Sequence, residues 1–331
     1  MIGKLGIRVS CGGVRRSYTG AAPWEQLALW PGPRNLRPER TEPDVTPTAL
    51  VVGSLHHDIM VEADHLPRRD ETATGRRWYP KFGGKGGNQA VAVARAGVAC
   101  RMLGAVGTDG FGQFLRERLR AGGVDDRFVA TLADVGSGMS VAIQDRSGDY
   151  AATIVSGANL RIDAAALQDP ALWQDVGLLI LQNEVAEDLN LTAATKARSR
   201  GVRTLLNAAP ARALPEALVP LVDLLVVNAV EAEMMGAGIV ADLAGAAAAA
   251  RLLSDRFGSV IVTAGSLGLA AVTPEDGVFT VAAQKVQAVS SHGAGDAFVG
   301  TLGAGLARGT PVREAVEAAS RAAARHVSGG D

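Results

Sequence analysis

Six short apolar runs, separated for the most part by helical stretches, restrict the fold of this chain more than any single motif does. They lie at residues 49–53, 101–106, 177–182, 203–207, 224–228 and 260–264. Each is too short to be a buried helix and apolar enough to be covered on both faces. Helical patterns occupy residues 87–96, 111–121, 189–199 and 240–257, and two more close the chain at 294–307 and 311–326, with Pro311 suited to a first helical turn. Strands alternating with helices predict an α/β fold: a mostly parallel sheet covered by helices on both sides. Of the 331 residues 47% are hydrophobic but only 4% aromatic, so Ala, Val, Leu and Ile must build the core.

Two segments break the rhythm. Residues 58–81 (DIMVEADHLPRRDETATGRRWYPK) and 138–160 (GMSVAIQDRSGDYAATIVSGANL) read as alternating strands with turns at 67–70 and 146–149. They predict a small antiparallel flap standing off the main sheet, with lid strands within about 58–80 and 138–158. Residues 1–47 are rich in proline and charge with no sustained period, and read as a poorly ordered extension before a domain spanning 48–331.

Charge and cysteine content exclude several functions. The formal net charge is -1 and no basic run is interleaved with aromatics, which argues against nucleic acid and for a small-molecule partner. Cys11 and Cys100 lie far apart, neither in a C-x-x-C, so no zinc site or disulfide framework is expected and a reducing cytoplasm fits. The alanine-rich stretch at 244–250 is a helix former, and no apolar run is long enough to span a bilayer.

Two glycine-rich stations carry the chemistry. In FGGKGGNQAVAVARAG, residues 82–97, the glycines leave backbone N–H groups open to a polar ligand at the start of a helix. The spacing is neither that of a P-loop nor that of the dinucleotide fingerprint. In SSHGAGDAF, residues 290–298, a carboxylate follows two glycines at a second helix start. On these residues alone Asp296 is either a first-turn carboxylate stabilised by the helix dipole or a catalytic base beside an anion site.

GGKGGNQA and GAGDAFVG, in this order, resemble the two signatures of the ribokinase-like (phosphofructokinase-B type) family of carbohydrate kinases, and the resemblance runs from Ala49 to the C-terminus. It implies a Rossmann-type three-layer sandwich with a β-sheet lid over the sugar, and a homodimer formed through that lid. It also implies phosphorylation of a sugar hydroxyl, of D-ribose or a related sugar, with ATP as co-substrate and Mg2+. By the same resemblance Asp296 is the base, and the amides of Gly293, Ala294 and Gly295 are the anion hole. Asp58, Gly83, Gly84, Lys85, Asn88 and Glu184 contact the sugar. His56 stands where the family pattern has Asn, which leaves the particular sugar open. Two adjacent histidines point to opposite faces of a strand, so at most one of His56 and His57 faces a ligand.

Asn207 and Asn228 fall near the phosphates, Glu231 completes the family's N-x-x-E element and is associated with magnesium through water, and Thr263, Gly265, Ser266 and Gly268 match the nucleotide turn. VTAGSLG also reads as a plain hairpin turn. Relatives carry an Asp-Thr pair at a monovalent-cation site where this chain has Ser290 and Ser291, followed by His292, so potassium activation is not expected to be strong. Alternatives in the same fold are a nucleoside kinase or a kinase of another sugar or keto-sugar acid. A sensor that retains the fold without catalysis is disfavoured by the intact GAGD.

Overall fold

The computed structural model describes residues 47–147, 149–290 and 292–330. The expected N-terminal extension, apart from residue 47, lies outside them, as do Cys11 and Ser291. The strands are β1 (Thr48–Val52), β2 (His56–Ala63), β3 (Gly75–Gly83), β4 (Ala99–Gly107), β5 (Val124–Leu132), β6 (Met139–Gln144), β7 (Tyr150–Val155), β8 (Val176–Gln182), β9 (Arg203–Asn207), β10 (Leu224–Asn228), β11 (Val260–Thr263), β12 (Gly268–Thr273) and β13 (Gly277–Ala282). The helices are α1 (Lys85–Arg95), α2 (Gly110–Ala121), α3 (Glu187–Ser199), α4 (Ala229–Ala232), α5 (Leu243–Phe257), α6 (Ala294–Ala307) and α7 (Val312–Val327).

Nine strands form the main sheet in the order β13-β12-β11-β10-β9-β8-β1-β4-β5. All are parallel from β11 to β5, and β12 and β13 extend one edge antiparallel. The six apolar runs are the buried strands β1, β4, β8, β9, β10 and β11. Central β1 shows why: Val51 lies opposite Met102 on one side and Ile180 on the other, and Ala49 to Val52 are fully buried. The helix patterned from residue 240 starts at Leu243 because Asp242 caps it, its Oδ1 accepting from Gly245 N–H at 2.7 Å.

The lid is a four-stranded sheet in the order β3-β2-β6-β7. It departs from the expected antiparallel flap in one pairing, since β2 and β6 run parallel. Both enter the lid after parallel strands of the main sheet, β1 and β5, and so leave it in the same sense. Among the described residues no helix is long and apolar enough to cross a membrane.

Helix α6 lies unusually close to its neighbours. A Cβ added at Gly300 would fall 2.4 Å from Ala92 Cβ and 2.6 Å from Gln89 O of α1, and one at Gly303 would fall 2.5 Å from Ile180 Cδ1 of β8. At position 300, where the Cβ would meet the Gln89 carbonyl, only glycine permits this approach. Gly300→Val should therefore cost about 1–3 kcal/mol through overpacking. Urea denaturation checks this, and a variant as stable as the wild type would contradict the packing of α6 on α1.

Candidate active site

The parallel strands deliver a row of polar residues to one edge of the sheet, outside their carboxyl ends, where open α/β sheets bind ligands. Gln182 ends β8, Asn207 ends β9, Asn228 ends β10, Thr263 ends β11, and Ser54 follows β1. Helices α1 and α6 begin beside them, and α6 carries Asp296 in its first turn.

Asp296 is only 9% exposed. Its Oδ1 accepts from Gln89 Nε2 at 3.0 Å and its Oδ2 from Asn88 Nδ2 at 3.3 Å. Burial raises the carboxyl pKa above its ordinary value, while the positive charge of Lys85 and the two amide donors act in the opposite direction. The amide of Gln89 is fully used. Its two N–H groups go to Asp296 and to Asn207 Oδ1 at 3.0 Å, and its Oε1 accepts from Gln182 Nε2 at 2.8 Å. A flipped amide would set its oxygen against two acceptors, so the network admits one orientation. Asn207 is held by the same network, its Nδ2 donating to Val226 O at 3.2 Å, and it is buried beneath the surface of the site. Gln182 Oε1 fills the space over Gly53, where a Cβ would lie 2.0 Å away.

Before α6, Gly293 adopts φ +86°, the left-handed region. The first N–H groups of α6 have no acceptor within the helix, since the earliest intrahelical bond of this turn is Ala297 N–H to Gly293 O at 2.9 Å. Gly295 is exposed, and a Cβ there would meet nothing within 4 Å. An anion can thus approach the turn from solvent.

On the lid side, β2 alternates as a strand must. His57 turns to α2, stacking on Phe111 at 4.1 Å between ring centroids and meeting Phe114 edge-on at 4.8 Å. His56 takes the opposite face, and is the histidine of the pair on the Glu184 side, with Nδ1 3.9 Å from Glu184 Oε2. Asp58 shares the face of His56 by the two-residue period. It is buried, accepts from Ser140 Oγ at 2.5 Å, and would collide with a Cβ at Gly83. Gly84, at φ +85°, lies against the backbone of residues 54–56, where a Cβ would come within 2.7 Å of His56 N. Glu184 is no loose surface carboxylate: Oε2 accepts from Ser54 Oγ at 2.5 Å and from Lys85 N–H at 2.9 Å, joining the end of β8 to the start of α1.

Across the edge, Glu231 and Asn228 form a capping box on the short α4, with Asn228 N–H donating to Glu231 Oε2 at 2.9 Å and Glu231 N–H to Asn228 Oδ1 at 2.8 Å. Burial raises the Glu231 pKa, with the Asn228 amide and Lys85 opposing and Asp296 adding to the rise. Glu233, in the same VVNAVEAE stretch, is exposed. Thr263, Gly265, Ser266 and Gly268 form the turn from β11 into β12, so the hairpin reading holds there. Gly265 and Ser266 are exposed at its tip, and Thr263 lies in register with Asn228. Ser290 is exposed and accepts from His292 N–H at 3.3 Å. His292 is exposed; desolvation of its ring and the charge of Lys81 lower its pKa, and the charge of Asp58 opposes them.

The structure therefore gathers Asp296, Asn88, Lys85, Glu184, His56 and Glu231 around one edge and attaches Asn207 from below. Sequence reasoning missed Gln89 and Gln182, the two glutamines that hold the centre together, and also Ser54 and Ser140. The only signal for the glutamines was a polar residue with no surface to face: Gln182 ends a buried run, and Gln89 lies one turn into a glycine-rich helix start.

A lidded α/β enzyme with a buried carboxylate in the first turn of a helix whose leading N–H groups have no acceptor within the helix is the class these features define. Comparison with known proteins gives the family. Residues 47–330 match the pfkB family carbohydrate kinase model, and the chain belongs to that family and is a sugar kinase of the ribokinase type. Ribokinase from Mus musculus is 34% identical over 257 residues, covering 76% of this chain and 80% of that protein. Ribokinase from Haemophilus influenzae is 30% identical over 283 residues, covering 85% and 92%. The structure of Arabidopsis thaliana ribokinase complexed with ribose and ATP superposes with a TM-score of 0.79 at 26% identity, covering 86% of this chain and 93% of that one.

Gln89→Leu should leave Asp296, Asn207 and Gln182 each short of a buried partner and reduce stability by about 1–3 kcal/mol. Equilibrium denaturation measures this, and a variant as stable as the wild type would show that the network does not hold the centre.

Proposed function

We propose that this chain transfers the γ-phosphoryl group of ATP to a hydroxyl of a free pentose, D-ribose or a close relative, with Asp296 as the base. The observation that carries the reading is the placement of Asp296: a buried carboxylate in the first turn of α6, beside N–H groups without helical acceptors and bonded to Asn88 and Gln89 of the helix that follows the glycine loop. Asp58, His56, Glu184, Gly83, Gly84, Lys85 and Asn88 hold the sugar under the lid. Asp296 takes the hydroxyl proton as the sugar oxygen forms its bond to the γ-phosphorus and the bond to the leaving ADP oxygen breaks. The N–H groups of Gly293, Ala294 and Gly295 receive the charge on the transferred group, a role that costs no reorganisation because the turn is already formed. Asn228 and the turn at Thr263, Gly265, Ser266 and Gly268 flank the nucleotide, and Asn207 acts from below by fixing Gln89.

The family implies magnesium, and Glu231 fits it. Among the described residues no three His, Cys, Asp or Glu side chains cluster to cage a metal ion. A magnesium ion that keeps its water and leans on phosphates needs only one or two carboxylates, and Glu231, with one oxygen fixed by Asn228 N–H, supplies one. When bound, the ion would neutralise phosphate charge. Ser290 offers a neutral hydroxyl where relatives have a carboxylate, so turnover should be the same in potassium chloride and choline chloride, and a strong potassium requirement would contradict this.

Asp296→Asn should lower turnover by about 10²–10⁴-fold while ATP affinity stays near wild type. Undiminished turnover would sink the mechanism. A screen of ADP release over D-ribose, 2-deoxyribose, hexoses, keto-sugar acids and nucleosides tests the substrate, and turnover of nucleosides alone would overturn the pentose reading.

The lid also supports a homodimer. Trp78 on β3 and Ile154 and Val155 on β7 are more than half exposed, at 65%, 58% and 52%, and open sheet edges invite pairing with a second copy. Sedimentation should report a dimer for the wild type and a monomer for Trp78→Arg. A fully active wild-type monomer would contradict the assembly.

A further inference from the structure

We infer that His326, near the end of α7, is a positioning residue that holds the turn preceding Asp296 in its working shape. This rests on the reading of that turn as the anion site. His326 Nε2 lies 3.0 Å from the carbonyl oxygen of His292, the residue immediately before Gly293. A carbonyl only accepts, so Nε2 carries the proton and donates. The imidazole also packs against the turn: a Cβ on Gly293 would sit 3.0 Å from Nε2 and 3.5 Å from Cε1. Glycine at 293 thus serves twice, allowing φ +86° and admitting the ring.

The neighbouring residue completes the hold. Val327 O, one position on, accepts from Val289 N–H at 2.8 Å and from Ser290 N–H at 3.2 Å. The last turn of α7 therefore grips Val289, Ser290 and His292 through the His326 side chain and the Val327 carbonyl. Helix α7 is in turn registered on α6, where a Cβ at Gly305 would fall 2.9 Å from Ala315 Cβ. The far end of α6 sets α7, and α7 sets the near end of α6. Without such a hold, a segment with glycines at 293 and 295 has wide backbone freedom, and the N–H groups meant for the transferred phosphoryl would spend much of their time misdirected.

His326→Leu should reduce kcat about 10- to 100-fold, the scale expected when catalytic donors are displaced by an ångström or so, with KM for sugar and ATP and the thermal midpoint near wild type. His326→Gln, whose amide nitrogen can reach the position of Nε2, should recover most of the lost kcat, whereas the shorter His326→Asn should not. A His326→Leu enzyme with wild-type kcat would overturn the inference, as would a loss that Gln fails to rescue and that tracks a lowered midpoint. Asp296→Asn runs beside them as the separating control. If it too turns over normally, the assignment of the turn itself has failed; if it is inactive while His326→Leu is unimpaired, only the role of His326 has.

Discussion

A carboxylate taken almost wholly out of water must be compensated or it will hold its proton, and the site of this enzyme is organised around that constraint. The compensation for Asp296 comes largely from one helix. Lys85, Asn88 and Gln89 stand at the first, fourth and fifth positions of α1, the spacing that puts side chains on one face. Lys85 contributes charge, and Asn88 and Gln89 contribute hydrogen bonds. That arrangement works only if α1 and α6 touch, and they touch because residue 300 has no side chain. The packing of two helices and the ionisation of one group are therefore a single problem with a shared solution.

The same coupling of packing to hydrogen bonding extends along the sheet edge. Gln89 is aimed by Gln182 and Asn207, which stand at the ends of adjacent strands β8 and β9 whose register places them opposite each other. Glu184, two residues beyond Gln182, ties Ser54 to the backbone of Lys85 and so fixes where α1 begins. Asp296, Glu184 and Glu231 lie within electrostatic reach of one another's neighbourhood, and Lys85 acts on both Asp296 and Glu231. Asp296, Glu184 and Glu231 outnumber the one lysine, Lys85, that acts on Asp296 and Glu231, so a polyphosphate is best accommodated beside them together with a cation, in keeping with the proposed use of magnesium.

Much of this was legible in the residues before the fold was in view. The six apolar runs became six central strands because buried parallel strands must be apolar on both faces. GAGD and GGKGG announced two helix starts open to a ligand. The outer strands were not legible: β5 is broken by Asp125, Asp126 and Arg127, where the two aspartates pair with Arg101, Arg116, Arg120 and Arg127 at the sheet margin, β12 has only a four-residue apolar run after its glycine turn, and the edge strand β13 has none. The pair His56 and His57 could be split between two faces but not assigned, since only the position of Phe111 and Phe114 decides which ring turns inward. The contacts that Gln89 and His326 make were not legible for a related reason. Their partners lie 207 and 34 residues away in the chain, and no local pattern encodes contacts of that kind.

The central claim, that Lys85 opposes the rise that burial imposes on the pKa of Asp296, the proposed base, is tested most directly by the pH dependence of kcat/KM, which reports the free enzyme. A base is active only when ionised, so activity falls as the pH drops through its pKa. Burial raises that pKa, so the acid limb of the wild type should lie above the ordinary aspartate value of about 3.9. Lys85 pulls the pKa down, so Lys85→Met should move the limb to still higher pH. An acid limb that stays where it was, or shifts to lower pH, would contradict the account.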